Sequence, residues 1–371
     1  MKLAARRDLI DSSGIRKVFD LAATLKDPIN LSIGLPDFDM PDELKDTAVE
    51  AIRAGKNRYT LTGGIPPLRK RIARYYEERG VTVEDNMVAS GTSGGLLLVF
   101  LALLDPGDEV LIPDPYFVMY KALVRFIGAK PVLVDTYPDF RITRERLEAA
   151  TTERTRLLIL NSPANPTGAT YSEEECRAAA EFAESRGIAV MSDEIYEEYV
   201  YDGEYVRPSA HLKEPIVVSG FSKSVAMTGW RIGWVAGPGD LIRAITDVQQ
   251  YSFVCAPSVA QETALRAFDI DMGPTRDQFR ARRDLIADGL LDAGYNVVRP
   301  GGAFYIFPEA PGGDGEAFVR KAIENNLLVV PGNVFSERNT HFRISFAASE
   351  EKLRAGLEVL RRLREMAATP T

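Results

Sequence analysis

Between residues 81 and 218 the chain alternates short apolar runs with stretches of helical periodicity. The apolar runs are continuous, and they lie at 109–112, 131–134, 155–160, 189–192 and 216–218. Continuous apolar strands joined by helices are typical of a parallel sheet that is buried on both faces. The sequence therefore predicts an α/β fold, with a large domain whose mainly parallel sheet is covered by helices on both faces.

The pattern changes after Pro257. A long charged region with helical spacing, 260–291, is followed by short strands and helices, which is typical of a smaller α+β domain. We therefore predict an N-terminal arm with part of the small domain, a large domain, and a small C-terminal domain, at 1–44, 45–272 and 273–371. Neighbouring acids predict that Arg280, Arg282 and Arg283 form a solvated helix face.

Composition argues against several classes of function. The 371 residues carry a net charge of -8 at pH 7, so no basic excess is available to bind the phosphates of a nucleic acid. Two cysteines are too few for a disulfide framework, and two histidines without a Cys-x-x-Cys pair disfavour a transition-metal site. The N-terminus lacks an apolar signal core, and no window approaches a membrane-spanning run. We expect a cytoplasmic protein that binds neither nucleic acids nor membranes.

Glycine-rich or polar segments follow several predicted strands. In a parallel sheet the carboxyl ends of the strands form one edge, and ligands bind there. The segment 91–95, Gly-Thr-Ser-Gly-Gly, lies between a strand and a helix, so its backbone amides and the helix dipole can hold a phosphate. Such turns are also common without a ligand. Asn165 lies in a loop that two prolines rigidify, which would fix its side chain as a hydrogen-bond donor.

Two charged residues also follow predicted strands. Asp193 ends an apolar run, where a buried carboxylate needs a cationic partner; the alternative is an ordinary helix N-cap. Lys223 lies on a bend rich in hydroxyl groups, and a lysine amine in such a place forms a Schiff base when its surroundings lower its pKa. Arg231 is flanked by Gly229 and Gly233, which permit a close approach of its guanidinium to an anion. Taken alone, each residue is compatible with a purely structural role.

Two further side chains complete the set. Phe117 offers an aromatic face, and Arg343 in a C-terminal strand can bind a carboxylate through two parallel hydrogen bonds. A phosphate cradle, a carboxylate, an amide donor and a lysine are together what a pyridine ring with a phosphate, a phenolic oxygen and an aldehyde requires. The combination predicts a site for such a cofactor in the large domain.

The motifs that contain these residues resemble those of the class I and II aminotransferases, fold-type-I enzymes that depend on pyridoxal 5′-phosphate. The resemblance rests on Asn-x-Pro-x-Asn-Pro-Thr-Gly at 161–168, Asp-Glu-x-Tyr at 193–196 and Ser-Lys-x(4)-Thr-Gly-Trp-Arg-x-Gly at 222–233. It extends in the expected order from about Ile29 to Arg343. It implies an enzyme that moves an amino group between an L-amino acid and a 2-oxo acid.

The resemblance also implies a role for each cofactor-binding residue. Lys223 would form the Schiff base and then move the proton at the substrate Cα, and Asp193 would pair with the pyridine nitrogen. Asn165 and Tyr196 would hydrogen-bond the phenolic oxygen. The remaining contacts, with the phosphate and the ring face, would come from Thr92, Ser93, Ser222, Arg231 and Phe117.

The resemblance implies a substrate side and a second subunit as well. Arg343 would bind the substrate α-carboxylate, next to Asn165 and the backbone near Gly34. Tyr59 matches a tyrosine that reaches the phosphate from the neighbouring subunit in this family. We therefore expect a homodimer with shared active sites.

Two departures from the family pattern bear on the substrate. Some aspartate-specific relatives have a lysine where this chain has Ser93, and many have a tryptophan in place of Phe117. Arg16 on the N-terminal helix is a candidate substitute cation, and the alternative is an ordinary exposed arginine. If Arg16 reaches the site, the substrates would be aspartate and glutamate with 2-oxoglutarate.

Other functions on the same scaffold stay open at this point. A C–S β-lyase or a cyclopropane-carboxylate synthase would use the same cofactor site, because contacts with the substrate decide which bond breaks. A non-catalytic sensor of pyridoxal phosphate belongs to another class of protein. Such regulators carry an added DNA-binding domain, and no basic helix-turn-helix segment precedes Ile29 in this sequence.

Overall fold

A seven-stranded sheet forms the centre of the computed structural model, which describes residues 1, 3–10 and 25–368. The first strand of the chain, β1 (Ile29–Asn30), lies outside this sheet. The strands of the sheet are β2 (Asp85–Ser90), β3 (Glu109–Asp114), β4 (Lys130–Asp135), β5 (Thr155–Asn161), β6 (Ala189–Asp193), β7 (Ile216–Gly220) and β8 (Ile232–Gly237). Their order across the sheet is β2-β8-β7-β6-β5-β3-β4. β8 is antiparallel to both neighbours, and the other pairs are parallel. The predicted mainly parallel sheet is confirmed.

Helices cover both faces of this sheet. They are α1 (Asp42–Arg53), α2 (Pro66–Glu77), α3 (Gly91–Leu103), α4 (Val118–Phe126), α5 (Arg144–Ala150), α6 (Glu173–Arg186), α7 (Gly239–Ser252) and α8 (Ser258–Ala267). Alternate residues of a strand point to opposite faces. Thus Leu157 and Ile159 of β5 pack into one buried apolar cluster, and Leu158 and Leu160 pack into another. The strands are apolar throughout because both faces are buried.

The C-terminal part contains two small sheets and three long helices. The helices are α9 (Gly273–Asp292), α10 (Gly315–Glu324) and α11 (Glu350–Ala368), and the strands are β9 (Tyr305–Ile306), β10 (Leu327–Leu328), β11 (Val330–Pro331) and β12 (Phe342–Ser345). β12 lies between β11 and β9 and is antiparallel to both. β10 pairs in parallel with β1, so the N-terminal segment joins this part of the fold. The division at 1–44, 45–272 and 273–371 stays a prediction.

Short 3-10 turns complete the described elements, at Ala5–Leu9, Pro208–His211, Thr228–Trp230 and Gly332–Val334. Across residues 1, 3–10 and 25–368, no helix combines the length and the apolar character needed to cross a membrane.

The structure corrects two helix boundaries. The helix predicted from Leu96 begins already at Gly91, because the glycines of this segment let α3 lie close to the sheet: a Cβ atom on Gly95 would lie 2.9 Å from Val235. The single helical region predicted at 260–291 is two helices. Its interruption lies before Pro274 in the first turn of α9, a position that suits proline because the amide there has no partner within the helix.

The prediction that Arg280, Arg282 and Arg283 form a solvated face of α9 is wrong for Arg282 and Arg283. The Arg283 side chain is 3% exposed and forms an ion pair with Asp202 at 2.7 Å, and the Arg282 side chain is 11% exposed and pairs with Asp37 at 2.7 Å. Charge alternation along the sequence does not reveal partners that lie far away in the chain. These arginines tie α9 to other segments of the fold.

Candidate active site

A cavity of about 410 Å³ opens at the carboxyl edge of the seven-stranded sheet. Loops after β2, β3, β5, β6 and β7 contribute to it, as do the residue before β8 and side chains from β9 and β12. The predicted site residues that line it are Gly34, Thr92, Ser93, Phe117, Asn165, Asp193, Tyr196, Ser222, Lys223, Arg231 and Arg343. Tyr59 is 85% exposed and is not among the lining residues. Arg16 lies outside the described residues.

One end of the cavity is formed by the N-terminus of α3 and by Arg231. β8 is antiparallel, so its first residue, and Arg231 before it, lie at the same edge as the carboxyl ends of the parallel strands. Arg231 adopts the left-handed conformation, with φ 52°, and its Nη1 donates to the Thr228 carbonyl at 2.8 Å. Its guanidinium lies so close to Gly91 that a Cβ atom there would collide with it. This end of the cavity therefore combines helix amides with a cation, as an anion site requires.

The two glycines that flank Arg231 have different environments. A Cβ atom on Gly233 would lie 2.6 Å from the Thr92 amide nitrogen, so glycine permits α3 to begin directly against β8. Nothing lies within 4 Å of the corresponding position on Gly229. A close backbone approach therefore exists at Gly233 and not at Gly229, and the approach of the Arg231 guanidinium to an anion stays a prediction.

Lys223 lies at the centre of the cavity, beyond the end of β7. Its Nζ donates to the Gly34 carbonyl at 2.8 Å, and its own carbonyl accepts a hydrogen bond from the Tyr199 hydroxyl at 2.8 Å. Burial and, to a lesser extent, the nearby Arg343 and Arg231 cations lower the pKa of the amine to about 8, and the Asp193 carboxylate opposes them. This is the depressed pKa that a reactive lysine needs.

Asp193 ends β6 and is buried. The Tyr120 hydroxyl donates to its Oδ2 at 2.6 Å, and the Ile195 amide donates to its Oδ1 at 3.2 Å. Burial raises the pKa of this carboxyl to about 6, and the two hydrogen bonds oppose the rise. Both donors are neutral, so the cationic partner predicted from the sequence is not one of them.

Tyr120 is a site residue that the sequence analysis missed. It is 2% exposed, lines the cavity and packs edge-on against Phe117 with ring centroids 5.6 Å apart. Residues three apart on a helix share one face. The signal that could have found Tyr120 is therefore its spacing from Phe117 at the start of α4.

Two asparagines join the loop after β5 to the rest of the site. Asn161 donates from Nδ2 to the Asp193 carbonyl at 3.0 Å, and its Oδ1 accepts from the Asn165 amide at 3.0 Å. The Oδ1 of Asn165 accepts from Arg343 at 3.0 Å. This orientation leaves the NH2 group of Asn165 available as a hydrogen-bond donor.

The end of the cavity opposite Arg231 contains a second arginine, Arg343 on β12, which is 1% exposed. Its Nη1 donates to Asn165, and its Nη2 donates to the Ser32 carbonyl at 2.9 Å. The rings of Tyr305 and Phe335 each lie 4.5 Å from the guanidinium carbon. Its Nε has no hydrogen-bond partner within the described part of the chain. A buried guanidinium with an unused donor is suited to receive a carboxylate.

Tyr305 on β9 is a second residue that the sequence analysis missed. Its hydroxyl shares a hydrogen bond of 2.9 Å with the hydroxyl of Tyr196 and donates to the Gly34 carbonyl at 3.4 Å. β9 has two residues and carries no local motif. Only the packing of the small sheet against the cavity brings this side chain to the site.

The charges of the cavity fit the predicted cofactor. Among the residues that the structure describes, the charged ones that line it are Lys223, Arg231, Arg343 and Asp193. Three cations and one carboxylate suit a ligand with two anionic groups and a protonated nitrogen, and pyridoxal 5′-phosphate with a carboxylate substrate has these groups. Within residues 1, 3–10 and 25–368, no group of three histidine, cysteine or acidic side chains could hold a metal ion.

Comparisons with known proteins cover nearly the whole chain. The family model described as aminotransferase class I and II matches residues 26–360. A probable aspartate aminotransferase from Methanocaldococcus jannaschii is 39% identical over 98% of this chain and 100% of the relative. An aspartate/prephenate aminotransferase from Thermus thermophilus is 40% identical over 92% of each chain. The structure of Thermus thermophilus aspartate aminotransferase with maleate has a TM-score of 0.93 and 37% identity, over 98% of this chain and 100% of that one.

Proposed function

The chain belongs to the class I and II aminotransferases, which use pyridoxal 5′-phosphate, and we propose that its substrates are aspartate or glutamate with 2-oxoglutarate as the acceptor. As an aminotransferase, the protein moves an amino group between an L-amino acid and a 2-oxo acid. The observation that carries the substrate proposal is the likeness, over the full length, to relatives named aspartate aminotransferases.

Residues of the large sheet would hold the cofactor. Pyridoxal 5′-phosphate supplies a ring that stabilises negative charge at the substrate Cα when it is bound. Asp193 would pair with the pyridine nitrogen, while Asn165 and Tyr196 would donate to the phenolic oxygen. The other contacts are proposed for Thr92, Ser93, Ser222 and Arg231 at the phosphate and for Phe117 at the ring face. The helix amides and the Arg231 guanidinium at that end of the cavity support this orientation.

We propose that Lys223 is the covalent anchor and the group that moves the proton. An amine with a pKa of about 8 is neutral in a useful fraction of molecules near neutral pH, in contrast to an ordinary lysine at 10.5. The neutral Nζ would accept a proton from the substrate Cα and deliver it to the C4′ carbon of the cofactor, and with the 2-oxo acid it would move a proton in the opposite direction. The Gly34 carbonyl, 2.8 Å from Nζ, would hold the resulting ammonium group.

Arg343 would bind the α-carboxylate of every substrate. The Asn165 side chain and the Ser32 carbonyl hold its two terminal nitrogens, and two aromatic rings restrict the guanidinium plane. A cation held in this way loses little freedom when a carboxylate binds. The substrate would thereby be oriented with its Cα toward Lys223.

The second carboxylate of a dicarboxylic substrate needs another cation. Ser93 stands where some aspartate-specific relatives have a lysine, and the three cations of the described cavity already have roles. Arg16 remains the candidate, outside the described residues. The preference among amino acid substrates is measured directly by testing a panel of amino acids in the first half-reaction. The visible absorbance of the cofactor reports each reaction.

We expect kcat/KM for aspartate and glutamate to exceed that for alanine. Arg16→Ala should lower the values for dicarboxylates by about tenfold to hundredfold, the effect of one charge-assisted hydrogen bond, and leave alanine nearly unchanged. Arg7→Ala, which removes an exposed arginine of the same arm, is the matched control. An equal response of both substrate types would make Arg16 structural. Release of ammonia in place of amino transfer would indicate lyase chemistry.

We also propose a homodimer in which Tyr59 reaches the partner's phosphate site. Several large apolar or aromatic side chains are exposed in the single chain, among them Tyr59 at 85%, Leu61 at 65% and Tyr251 at 89%. Exposed aromatic patches of this kind mark interfaces between proteins. Mixing Tyr59→Ala with Lys223→Ala subunits should recover about a quarter of the wild-type activity, because half of the dimers are mixed and each contains one intact site. A fully active monomer in sedimentation would refute the proposal.

A cytoplasmic location is part of the proposal. Its support is the pair of free cysteines, Cys176 and Cys255, which suits a reducing compartment. Cell fractionation should recover the activity with the cytoplasmic fraction, and activity retained on washed membranes would contradict this.

A further inference from the structure

One short segment, 32–38, supplies an acceptor to each of the two cations that face the substrate side. The Ser32 carbonyl accepts from Nη2 of Arg343 at 2.9 Å, and the Gly34 carbonyl accepts from Nζ of Lys223 at 2.8 Å. The Arg343 guanidinium and the Lys223 amine are therefore both oriented by the path of the same backbone. A shift of this segment would change both cations together.

Side-chain contacts hold residues 33–38 of this segment in place, whereas Ser32 follows Leu31, whose backbone bonds to Leu328 and Ser345. Within the described part of the chain, residues 33–38 make no backbone–backbone hydrogen bond. Asp37 instead forms an ion pair with Arg282 of α9 at 2.7 Å, with side chains 25% and 11% exposed. Phe38 packs edge-on against Phe279 of the same helix, and the Arg282 guanidinium lies 4.9 Å from the Phe279 ring centroid. A partly buried pair of this kind is less screened by water than a surface pair.

The same part of α9 also supports the backbone of Lys223. Phe279 is fully buried and packs against Tyr199, with ring centroids 5.1 Å apart. The Tyr199 hydroxyl donates to the Lys223 carbonyl at 2.8 Å. α9 is thus connected to both ends of Lys223: to its backbone through Tyr199 and to its amine through segment 32–38.

We propose that Asp37 and Arg282 are a positioning pair that fixes segment 32–38 against α9 and so sets the Gly34 carbonyl at Lys223 and the Ser32 carbonyl at Arg343. Neither member of the pair lines the cavity, so the pair acts through the segment and not on the substrate. The inference rests on the proposed function, because it assumes the roles given there to Lys223 and Arg343.

The test uses the capture of pyridoxal 5′-phosphate by the apoprotein, trapped with borohydride across a range of pH. The groups that face the Lys223 amine are Arg343, Arg231 and Asp193, besides the Gly34 carbonyl. If segment 32–38 shifts, the Gly34 carbonyl no longer accepts from Nζ of Lys223. The ammonium form of Lys223 then loses an acceptor that stabilises it. Arg282→Met should therefore move the pH midpoint of capture down by about half a unit to one unit, less than a full charge-assisted hydrogen bond.

The second readout is the Michaelis constant of the amino acid in the holoenzyme. Because Ser32 orients Arg343, Arg282→Met should also raise KM by about threefold to tenfold while changing kcat less. Asp277→Asn is the matched control, since it removes an exposed ion pair with Arg280 on the same helix and should change neither quantity. The reversed pair, Asp37→Arg with Arg282→Asp, should restore both toward the wild-type values.

A folded Arg282→Met variant with an unchanged midpoint and KM would overturn the inference, as would a reversed pair that restores neither. If Arg282→Met does not fold, Asp37→Asn removes the charge with almost no change in volume and is judged by the same two quantities. Peptide mapping of the trapped product separates the two proposals. A label on another lysine refutes the proposed function, whereas a label on Lys223 with an unmoved midpoint refutes only the positioning pair.

Discussion

The two ends of the cavity are built in different ways. At the end proposed to bind the phosphate, called the phosphate end, Thr92 and Arg231 lie next to Ser90 and Ile232, which pair between β2 and β8, and Arg231 is exposed. At the end proposed to bind the substrate carboxylate, called the carboxylate end, Arg343 is 1% exposed, and its partners Asn165 and Ser32 are 178 and 311 residues away along the chain. The phosphate end belongs to one sheet, whereas the carboxylate end is assembled from three separate segments.

This difference indicates that the two ends can change independently. The seven-stranded sheet forms the phosphate end through the backbone geometry of its strand ends, where β2 and β8 pair. The carboxylate end depends on segment 32–38, in which residues 33–38 are held by side-chain contacts, and on β9 and β12, which are short strands of a separate small sheet. Substitutions at the phosphate end should therefore alter the noncovalent affinity for the cofactor. Substitutions at the carboxylate end should alter mainly KM for the amino acid.

Lys223 lies between the two ends, and its removal should have the largest effect. We expect Lys223→Ala to retain the cofactor through noncovalent contacts and to lose turnover by about three or more orders of magnitude, since both the nucleophile and the proton carrier are absent. Turnover and the cofactor content after gel filtration measure this. Lys213→Ala, at an exposed lysine paired with Glu184, is the control. Borohydride reduction of the wild-type enzyme that labels a different lysine would contradict the assignment.

Arg343→Ala tests the carboxylate end. Losing the charge-assisted hydrogen bonds to the α-carboxylate should raise KM for every amino acid by about tenfold to hundredfold. The cofactor dissociation constant should stay within about twofold, because the phosphate end belongs to other elements. Steady-state kinetics with several amino acids checks the first quantity, and Arg338→Ala, at a half-exposed arginine, provides the control. A large loss of cofactor affinity would show that the two ends are coupled.

Arg231→Ala tests the phosphate end and should have a smaller effect, because this arginine is exposed to water. We expect the cofactor dissociation constant to rise by about tenfold and KM for amino acids to stay unchanged at saturating cofactor. Fluorescence titration of the apoprotein measures the affinity. Arg243→Ala, at an exposed arginine paired with Asp240, controls for the loss of a positive charge. Equal changes in KM and in cofactor affinity would remove the distinction between the two ends.

Tyr120→Phe should produce the smallest effect, on the stability of the apoprotein. Asp193 has a folded-state pKa of about 6 against 3.8 for an ordinary aspartate, so its burial costs stability as the pH rises through this range. The Tyr120 hydroxyl offsets part of that cost. Its removal should lower the free energy of unfolding by about 1 to 2 kcal/mol near pH 8 and by less near pH 5, where Asp193 is more often protonated. Urea unfolding checks this, with Tyr251→Phe at an exposed tyrosine as the control. If the loss of unfolding free energy in Tyr120→Phe does not depend on pH, the Tyr120 hydroxyl does not stabilise the protein through the charge of Asp193.

Local sequence signals were strongest where a strand runs into a loop. Asp193 ends one apolar strand and Lys223 lies just beyond the end of the next, and the carboxyl ends of parallel strands share an edge, so the sequence predicted that these side chains meet. Tyr120 and Tyr305 were missed because neither stands beside a motif. Arg282 was assigned to solvent, because an ion pair with Asp37, 245 residues away, leaves no trace in local charge alternation.

The sequence by itself determined the fold class, the family and the order of the cofactor-binding motifs, because strand periodicity and strand-end motifs are local properties of the chain. Only the tertiary structure decided which carbonyls orient Lys223 and Arg343, that Tyr120 donates to Asp193, and that Tyr305 and Phe335 enclose the Arg343 guanidinium. These contacts join segments far apart in the chain, and packing of the small sheets against the large one creates them. Hydrogen bonds and burial depend on distances in space, which spacing along the sequence does not contain.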